Sequence, residues 1–190
     1  MRKNLVTAFW FTIVTTVLFG VIYPLLVTGL AQLVFPYQAN GQLMERNGKV
    51  IGSRIIGQSF SGSGYFHSRP SSAGTGYDAS SSSASNLAPT RKTLIDRVNA
   101  DVKKEQSENR SAPVPIDLVT ASGSGLDPDI SPAAAEFQVA RVARERGMSQ
   151  SEIRALVRKH TLGRQFGFLG EARVRVLELN LELDNIHPIK

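Results

Sequence analysis

Apolar residues dominate one continuous stretch near the start of the chain, LVTAFWFTIVTTVLFGVIYPLLV at residues 5–27. No charged side chain occurs at residues 5–35. A transmembrane helix needs about 20 apolar residues, at about 1.5 Å rise each, to cross about 30 Å of hydrocarbon. The stretch is long enough to cross once, and no later segment comes close. The pattern therefore predicts one membrane anchor followed by a polar domain.

A cleaved signal peptide is the main alternative for this segment, because Arg2 and Lys3 precede it. The apolar region of a signal peptide runs about 7–15 residues, and this one is about twice as long. The Thr-Gly-Leu sequence at residues 28–30 is also a poor small-residue cleavage site. We therefore interpret the segment as an uncleaved anchor, with a short cytoplasmic tail at residues 1–4 and a transmembrane helix with its extension at residues 5–35.

The flanking charges do not decide which way the anchor crosses the membrane. Arg2 and Lys3 favour a cytoplasmic N-terminus. Arg46, Lys49 and Arg54, however, follow within about 20 residues of the other end. A three-residue tail before a long apolar run is typical of a signal anchor, and this would place the domain outside the cytoplasm.

Small or kinking residues recur every four positions along the anchor, and they form one slowly winding stripe on the helix: Ala8, Thr12, Thr16, Gly20, Pro24 and Thr28. Helices associate in membranes through close backbone approach at such residues. The alternative is an ordinary span in which the proline only introduces a kink. We favour a packing face for another helix.

Apolar spacing and capping residues predict three helices in the polar domain. Leu94, Val98 and Val102 recur every four positions. Ser131 is a good N-cap and Pro132 a good first helical residue. The predicted helices are residues 90–105, residues 133–146 up to Gly147, and a third that begins with the capping box Ser149-Gln150-Ser151-Glu152.

Strand signals are weaker, and they lie at residues 50–56, 116–120 and 173–184. The last of these, RVRVLELNLELD, alternates apolar and polar residues, which favours a strand. Leu177, Leu181 and Asp184 would also share one helix face, so a helix stays open. Together these elements predict a single α+β domain at residues 36–190, anchored by one transmembrane helix, with a Ser/Gly-rich loop region at about residues 57–89.

The charge distribution argues against nucleic acid as a partner. The formal net charge is +6. After residue 4 the chain keeps 20 of the 22 basic residues and all 16 acidic ones, without a block of five like charges or aromatic residues among the cations. A weak attraction to a membrane surface accounts for this excess. Cysteine is absent, which is compatible with either side of the membrane.

The best candidate for chemistry is a Ser/Gly loop that lies between a predicted strand and a helix N-terminus. Such a loop can hold phosphate on backbone N–H groups, and its residues are Ser122, Gly123, Ser124 and Gly125. The GxxxxGK[ST] and GxGxxG patterns are both missing. Asp127 and Asp129 offer oxygen ligands for a hard cation. The alternative is a purely structural turn in which glycines supply positive φ and aspartates accept turn hydrogen bonds.

The sequence offers no recognisable catalytic set. It lacks the GxSxG elbow and HExxH, and His67, His160 and His187 are scattered. His67 and Arg69 could meet an anion, but such a pair more often satisfies loop carbonyls. We therefore expect a non-enzymatic chain without a metal. A membrane-tethered periplasmic sensor or hydrolase that uses the Ser/Gly loop is the alternative.

Several longer motifs together resemble the C subunits of the bacterial Kdp potassium-transporting ATPases. The resemblance covers nearly the whole chain and is most specific at residues 113–147. The motifs are Tyr23-Pro24 in the anchor, GQSF, YFHSRPSS, SNLAPT, PVPIDLVTASGSGLDPDISPAAAEFQVARVARERG and VRVLELNLELD.

This resemblance implies an accessory subunit of a high-affinity pump in the bacterial inner membrane. Its implied partners are a potassium-selective membrane subunit, a P-type ATPase subunit and the lipid bilayer. ATP and K⁺ belong to the complex, and the chain itself is expected to hold no cofactor. The resemblance further implies a cytoplasmic N-terminus, a periplasmic domain and a role as a catalytic chaperone that raises ATP affinity, with the Ser/Gly loop as the nucleotide-binding candidate.

A periplasmic loop cannot contact cytosolic ATP across about 30 Å of hydrocarbon. An effect on ATP affinity would therefore have to pass through the packed helix, unless the topology is reversed. We favour a structural role, in which the domain caps the outer face of the potassium-selective subunit. In that arrangement Asp127 and Asp129 are expected to face the ion entrance.

Overall fold

The N-terminal apolar segment forms one long helix with a wider turn in its middle. The computed structural model, which describes residues 1–189, contains α1 (Arg2–Val17), a π-helical segment (Leu18–Ile22) and α2 (Tyr23–Val34) without a break. Within the described part of the chain, this continuous helix of 33 residues is the one long and apolar enough to cross a membrane. The helix predicted at residues 5–35 is therefore present, and it runs from Arg2 to Val34.

Pro24 explains the π-helical turn. Proline has no backbone N–H, and its ring clashes with the carbonyl group four residues earlier, here that of Gly20. The backbone widens just before the proline, where the Tyr23 N–H donates to the Leu18 carbonyl, five residues back. Such single π turns relieve strain inside an α-helix without ending it.

A short hairpin follows the helix, and its first strand lies within the first compact unit, Met1–Ile51. After α3 (Pro36–Ala39), strands β1 (Leu43–Arg46) and β2 (Lys49–Ser53) pair in a two-stranded sheet. Their two-residue turn is Asn-Gly at residues 47–48, and both residues have positive φ, of 53° and 73°. This is the turn chemistry that tight hairpins prefer. The strand predicted at residues 50–56 is thus present in shortened form.

The second compact unit, Gly52–Lys190, combines four helices with a small antiparallel sheet. In the sheet, β5 lies between β3 and β4, with Ile130 opposite Val174 and Thr161 also opposite Val174. The elements are α4 (Lys92–Glu108), β3 (Asp129–Ile130), α5 (Pro132–Arg146), α6 (Gln150–Lys159), β4 (Thr161–Leu162), β5 (Arg173–Arg175) and α7 (Val176–Ile186). The predicted mixture of helix and sheet is confirmed.

Helices α5 and α6 begin and end where their capping residues predict. The Ser131 hydroxyl accepts a hydrogen bond of 3.0 Å from the Ala134 N–H. Gly147 ends α5 in the left-handed conformation, with φ of 65°. Ser149 and Glu152 form the complete capping box of α6. These local signals are confirmed because each requires only neighbouring residues.

The strand prediction for residues 173–184 is wrong beyond its first three residues, because the rest of the segment forms α7. Val176, Leu179, Asn180 and Leu183 are all buried, and their spacing of three and four residues defines one helix face. A strand would have placed Asn180 on the polar side, away from Leu179. The buried asparagine therefore decides between the two periodicities.

The strand prediction for residues 116–120 is also wrong, because this segment forms a 3₁₀ turn at Ile116–Leu118. The Thr120 hydroxyl donates to the Ile116 carbonyl at 2.8 Å, so local hydrogen bonds replace a strand ladder. Asp117 accepts hydrogen bonds from the N–H and hydroxyl of Ser131, at 2.7 and 3.0 Å. The segment thus supports the start of α5 instead of extending the sheet.

The core of the second unit forms where α5, α6 and α7 pack over the sheet. It is built mainly from β-branched and leucine side chains, and Phe66 from the preceding loop region inserts among them with no exposed surface. Its fully or nearly fully buried members include Ile130, Ala134, Val139, Val142, Ile153, Val174, Leu179 and Leu183. The loop region at residues 57–89 is therefore tied to the core through its aromatic residues.

Candidate functional site

The Ser/Gly loop of residues 122–125 packs tightly against the segment at residues 71–83. The Ser83 N–H donates to the Ser124 carbonyl at 2.9 Å, and the Ser71 hydroxyl donates to the Gly125 carbonyl at 2.6 Å. Gly125 has φ of 67°, and a Cβ added there would lie 2.6 Å from the Ser83 carbonyl oxygen. Only glycine fits this position without rearrangement.

Several N–H groups that a phosphate would use at this loop already donate elsewhere. The Gly125 N–H donates to the Ser122 carbonyl at 3.3 Å, and the Leu126 N–H donates to the Ser124 hydroxyl at 3.1 Å. The N-terminus of α5 is capped by Ser131. These internal hydrogen bonds match the alternative of a purely structural turn. Nucleotide binding by Ser122, Gly123, Ser124 and Gly125 stays a prediction.

Asp127 and Asp129 each form an ion pair with an arginine from another part of the domain. Asp127 Oδ2 lies 3.0 Å from Arg69 Nη1, and Asp129 Oδ2 lies 2.9 Å from Arg173 Nε. Asp127 Oδ1 also accepts the Asp129 N–H at 3.1 Å. Burial raises the pKa of Asp129, against the opposing effect of Arg175 and Arg173. Asp127 thus ties its loop to the loop region at residues 57–89, and Asp129 ties β3 to β5.

A cleft of about 370 Å³ opens beside these aspartates. Its lining contains more carboxylates than guanidinium groups. The charged lining residues are Asp117, Asp127, Asp129 and Glu171, against Arg69 and Arg173. We refer to this surface as the acidic cleft. The sequence analysis singled out Asp127, Asp129 and Arg69, but not Arg173 or Glu171.

Two buried amides, which the sequence analysis missed, hold the YFHSRP segment against the helices. Asn180 Oδ1 accepts the Phe66 N–H and Asn180 Nδ2 donates to the Phe66 carbonyl, both at 2.9 Å. Gln138 does the same for His67, at 2.7 and 3.1 Å. A polar residue on the apolar face of a helix was the available signal, because buried amides require partners.

His67 and Arg69 satisfy loop carbonyls. His67 Nε2 lies 3.1 Å from the Gly62 carbonyl oxygen, and burial lowers the pKa of its imidazole. Arg69 donates to the carbonyls of Thr120 and Ala121, at 3.4 Å each. The structural interpretation of this pair is confirmed.

The other two histidines lie apart from His67. His160 contacts Glu182, and His187 follows the end of α7. Across residues 1–189 no group of three or more His, Cys, Asp and Glu side chains is placed to hold a metal ion.

An exposed aromatic hairpin at residues 164–171 is a surface that sequence reasoning missed. Phe166 and Phe168 are 79% and 69% exposed. Gln165 and Leu169 exchange both backbone hydrogen bonds, at 2.8 and 2.9 Å, and the first and last residues form an ion pair of 2.7 Å. The hairpin is therefore held in shape while its apolar side chains face solvent.

The small-residue stripe of the long helix makes a shallow surface, because its side chains are short. The Thr12 hydroxyl donates to the Ala8 carbonyl at 2.9 Å, so this polar group is satisfied within the helix. A Cβ added at Gly20 would meet only the Thr16 methyl group, at 3.8 Å. Thr16 and Gly20 thus leave room for another helix, and packing through Ala8, Thr12, Thr16, Gly20, Pro24 and Thr28 stays a prediction.

Comparison with known proteins agrees with this architecture. The profile of the family described as KdpC, K⁺-transporting ATPase, c chain, matches residues 5–185. The chain is 61% identical to the potassium-transporting ATPase KdpC subunit of Koribacter versatilis, over 100% of this chain and 98% of the relative. It is 56% identical to that of Acidobacterium capsulatum, over 97% and 100%, and 57% identical to that of Rhodospirillum rubrum, over 92% and 91%. With a family match that includes the long helix, the Ser/Gly loop and α7, the chain belongs to the KdpC family, the c chains of K⁺-transporting ATPases.

Proposed function

We propose that this chain is a non-catalytic accessory subunit of a high-affinity, ATP-driven potassium uptake pump, where it assembles and stabilises the complex. The observation that carries this proposal is the family match over residues 5–185, because it joins the apolar helix and the folded domain in one subunit. The dispersed histidines and the internally bonded Ser/Gly loop support a non-catalytic role. The membrane-tethered sensor or hydrolase is not favoured by this family membership.

The proposed partners are a potassium-selective membrane subunit and a P-type ATPase subunit, with the bilayer around the helix. We place the N-terminus in the cytoplasm and the domain in the periplasm, across the bacterial inner membrane. The length of the helix supports one crossing. Arg2 and Lys3 support the cytoplasmic end, since positive residues are retained on that side.

The proposed effect on the pump is a higher ATP affinity of the P-type ATPase subunit, as in a catalytic chaperone. With the domain in the periplasm, this effect would travel through the packed helix as a change in the equilibrium between pump conformations. Direct nucleotide contact at residues 122–125 would require the opposite topology. Labelling of a cysteine introduced at the exposed Gly123 with a membrane-impermeant reagent distinguishes the two cases.

Co-purification tests the proposed function directly. A tag at the C-terminus, extraction in mild detergent and identification of the attached chains should yield a stable partner set with potassium-stimulated ATPase activity. ATP hydrolysis by the purified chain alone, without partners, would instead support the hydrolase alternative.

Neutralising the acidic cleft is expected to weaken potassium uptake. In the Asp127→Asn, Asp129→Asn double variant the complex should show a several-fold higher apparent Kd for K⁺, since a charge near 4 Å contributes about 1 kcal/mol in water. The measurement is potassium-stimulated ATPase activity against K⁺ concentration. Asp96→Asn, an exposed change on α4, is the matched control, and thermal unfolding checks that the domain stays folded. An unchanged potassium affinity would remove the ion-entrance role.

The aromatic hairpin is expected to dock on a partner subunit. Aromatic residues that become buried at an interface contribute about 2 kcal/mol or more each, and a rigid loop loses little entropy on binding. Phe166→Ser, Phe168→Ser should therefore reduce the recovered partners by more than about tenfold while leaving thermal unfolding unchanged. Ile116→Ser, at a residue that is also 75% exposed, is the matched control. Equal recovery with both variants would exclude the hairpin from the interface.

A further inference from the structure

A second cleft, of about 380 Å³, lies between α4 and the loop segment at residues 59–70. It is separate from the Ser/Gly loop and carries both polar and apolar side chains. Those that matter here are Phe60, His67, Tyr77, Lys104, Glu105 and Glu108. We refer to it as the α4 cleft.

Glu105 is the unusual member of the α4 cleft. It is only 8% exposed, and its carboxyl group forms no hydrogen bond or ion pair with any of the described residues. Its carboxyl oxygens keep some contact with the solvent of the cleft, but the burial of the rest of the side chain weakens their hydration and no protein donor replaces it. Packing alone therefore does not explain a glutamate at this position.

Two of the neighbouring polar side chains of the cleft are already occupied. Glu108 forms an ion pair of 2.7 Å with Arg141, and the Tyr77 hydroxyl donates to the Arg69 carbonyl. Arg69 forms an ion pair with Asp127 of the acidic cleft. Glu105 is thus a carboxylate that stays available to a molecule entering from solvent, and the Ser68 hydroxyl, which is unpaired among the described residues, lines the same cleft.

We propose that the α4 cleft binds a cationic group that carries N–H donors, an ammonium or a guanidinium, with Glu105 as its counter-ion. A charged N–H donor would form the charge-assisted hydrogen bonds that Glu105 lacks. Phe60 and Leu118, which also line the cleft, would cover the carbon atoms next to the charge. The cation is either a free organic amine or a lysine or arginine side chain of another subunit, and the second source rests on the proposed function.

The electrostatics of the cleft support a cation and make its binding dependent on pH. Burial raises the pKa of Glu105, and Glu108 and Asp101 add to this, while Lys104 and Arg141 oppose it. His67 and Arg69 face the same cleft from the loop. A cation binds the ionised carboxylate, so binding releases the carboxyl proton to solvent wherever Glu105 is protonated. Affinity therefore rises as pH increases through the raised pKa.

Lys104 provides an independent check, because its exposed ammonium group stands beside Glu105 and competes with any cation for the carboxylate. Lys104→Met removes that competitor without touching Glu105, so it should tighten binding. Glu105→Gln keeps the shape of the side chain but removes its charge, so it should weaken binding. The two variants lie side by side on α4 and are predicted to act in opposite directions.

The test is a titration of the ¹⁵N-labelled full chain in detergent micelles with n-butylammonium at pH 4.5, the ordinary pKa of a glutamate, and at pH 7, followed by NMR. We expect saturable shifts of the Glu105 and His67 amides, with tighter binding at the higher pH, and a loss of about tenfold or more in Glu105→Gln. Tetramethylammonium, which has the same charge but no N–H donor, should bind more weakly than n-butylammonium. Absence of a saturable shift at both pH values, or equal binding by Glu105→Gln, would overturn the proposal.

The assembled complex then identifies the source of the cation. If the complex still binds n-butylammonium, the cleft is open to a free amine. If the complex does not bind it and Glu105→Gln recovers fewer partners, a basic side chain of another subunit fills the cleft. The titration of the chain alone does not depend on assembly, so its result stands even if the accessory role is disproved.

Discussion

Replacing Arg146 with methionine is expected to lower the free energy of unfolding of the domain by about 3–5 kcal/mol, because the change breaks a buried ion pair and orphans its acceptors. The side chain of Arg146 is completely buried. Its Nη2 lies 2.9 Å from Asp184 Oδ1, its Nε donates to the Gly64 carbonyl at 2.6 Å, and its Nη1 donates to the His187 carbonyl at 2.7 Å.

The size of this effect follows from what the methionine leaves behind. Asp184 would become a partly buried carboxylate without its cation, and two carbonyl groups would lose their donors. The guanidinium also lies 4.8 Å from the centre of the Tyr65 ring, and that contact would be lost too. Arg146 therefore joins α5, α7 and the loop region at one point.

Urea unfolding of the full chain in mild detergent, followed by near-UV circular dichroism, measures this loss. Arg144→Met is the matched control, since this arginine lies on the same helix and its side chain is 69% exposed. An exposed ion pair contributes about 1 kcal/mol or less, so the control should change little. If the two variants unfold at the same urea concentration, Arg146 does not hold the elements together.

Filling the stripe on the long helix is expected to release the chain from its complex. Thr16→Leu, Gly20→Leu adds bulk where another backbone is proposed to approach closely. Overpacking costs about 1–3 kcal/mol per site, which corresponds to about tenfold or more in affinity. Within its own helix a Cβ at Gly20 meets only the Thr16 methyl group at 3.8 Å, so the isolated helix accommodates the change.

Co-purification through a C-terminal tag measures the release, with the amount of inserted chain in the membrane as the reference. The matched control is Val14→Leu, Val21→Leu, which adds bulk on the opposite side of the same helix. We expect the control to retain its partners. Unchanged recovery of partners with the Thr16 and Gly20 variant would exclude this stripe as the packing face.

Features that depend on neighbouring residues were predictable from the pattern alone. The caps of α5 and α6 and the left-handed Gly147 are local, so their outcome required no knowledge of the fold. The long apolar helix belongs to the same class, because its backbone hydrogen bonds are all internal. Its π turn follows from Pro24, although the pattern indicated only a kink.

The two wrong strand predictions, for residues 173–184 and 116–120, share one cause: a residue distant in the sequence determined the conformation. Residues 177–183 alternate like a strand, but Asn180 is buried because Phe66, more than a hundred residues earlier in the chain, needs its amide. Residues 116–118 form a turn because Asp117 is required at the start of α5. Neither requirement can be read from local periodicity.

By itself, the sequence determined the apolar helix, the two ends of α5 and the start of α6, the mixed fold class and, through its long motifs, the family. Only the tertiary structure decided which charges neutralise each other, and hence which stay available. Arg69 pairs with Asp127 and Arg173 with Asp129, whereas Glu105 stays without a partner in a cleft. The physical reason is that capping and hydrophobic periodicity act within a few residues, while ion pairs and burial depend on where the folded chain brings distant residues together.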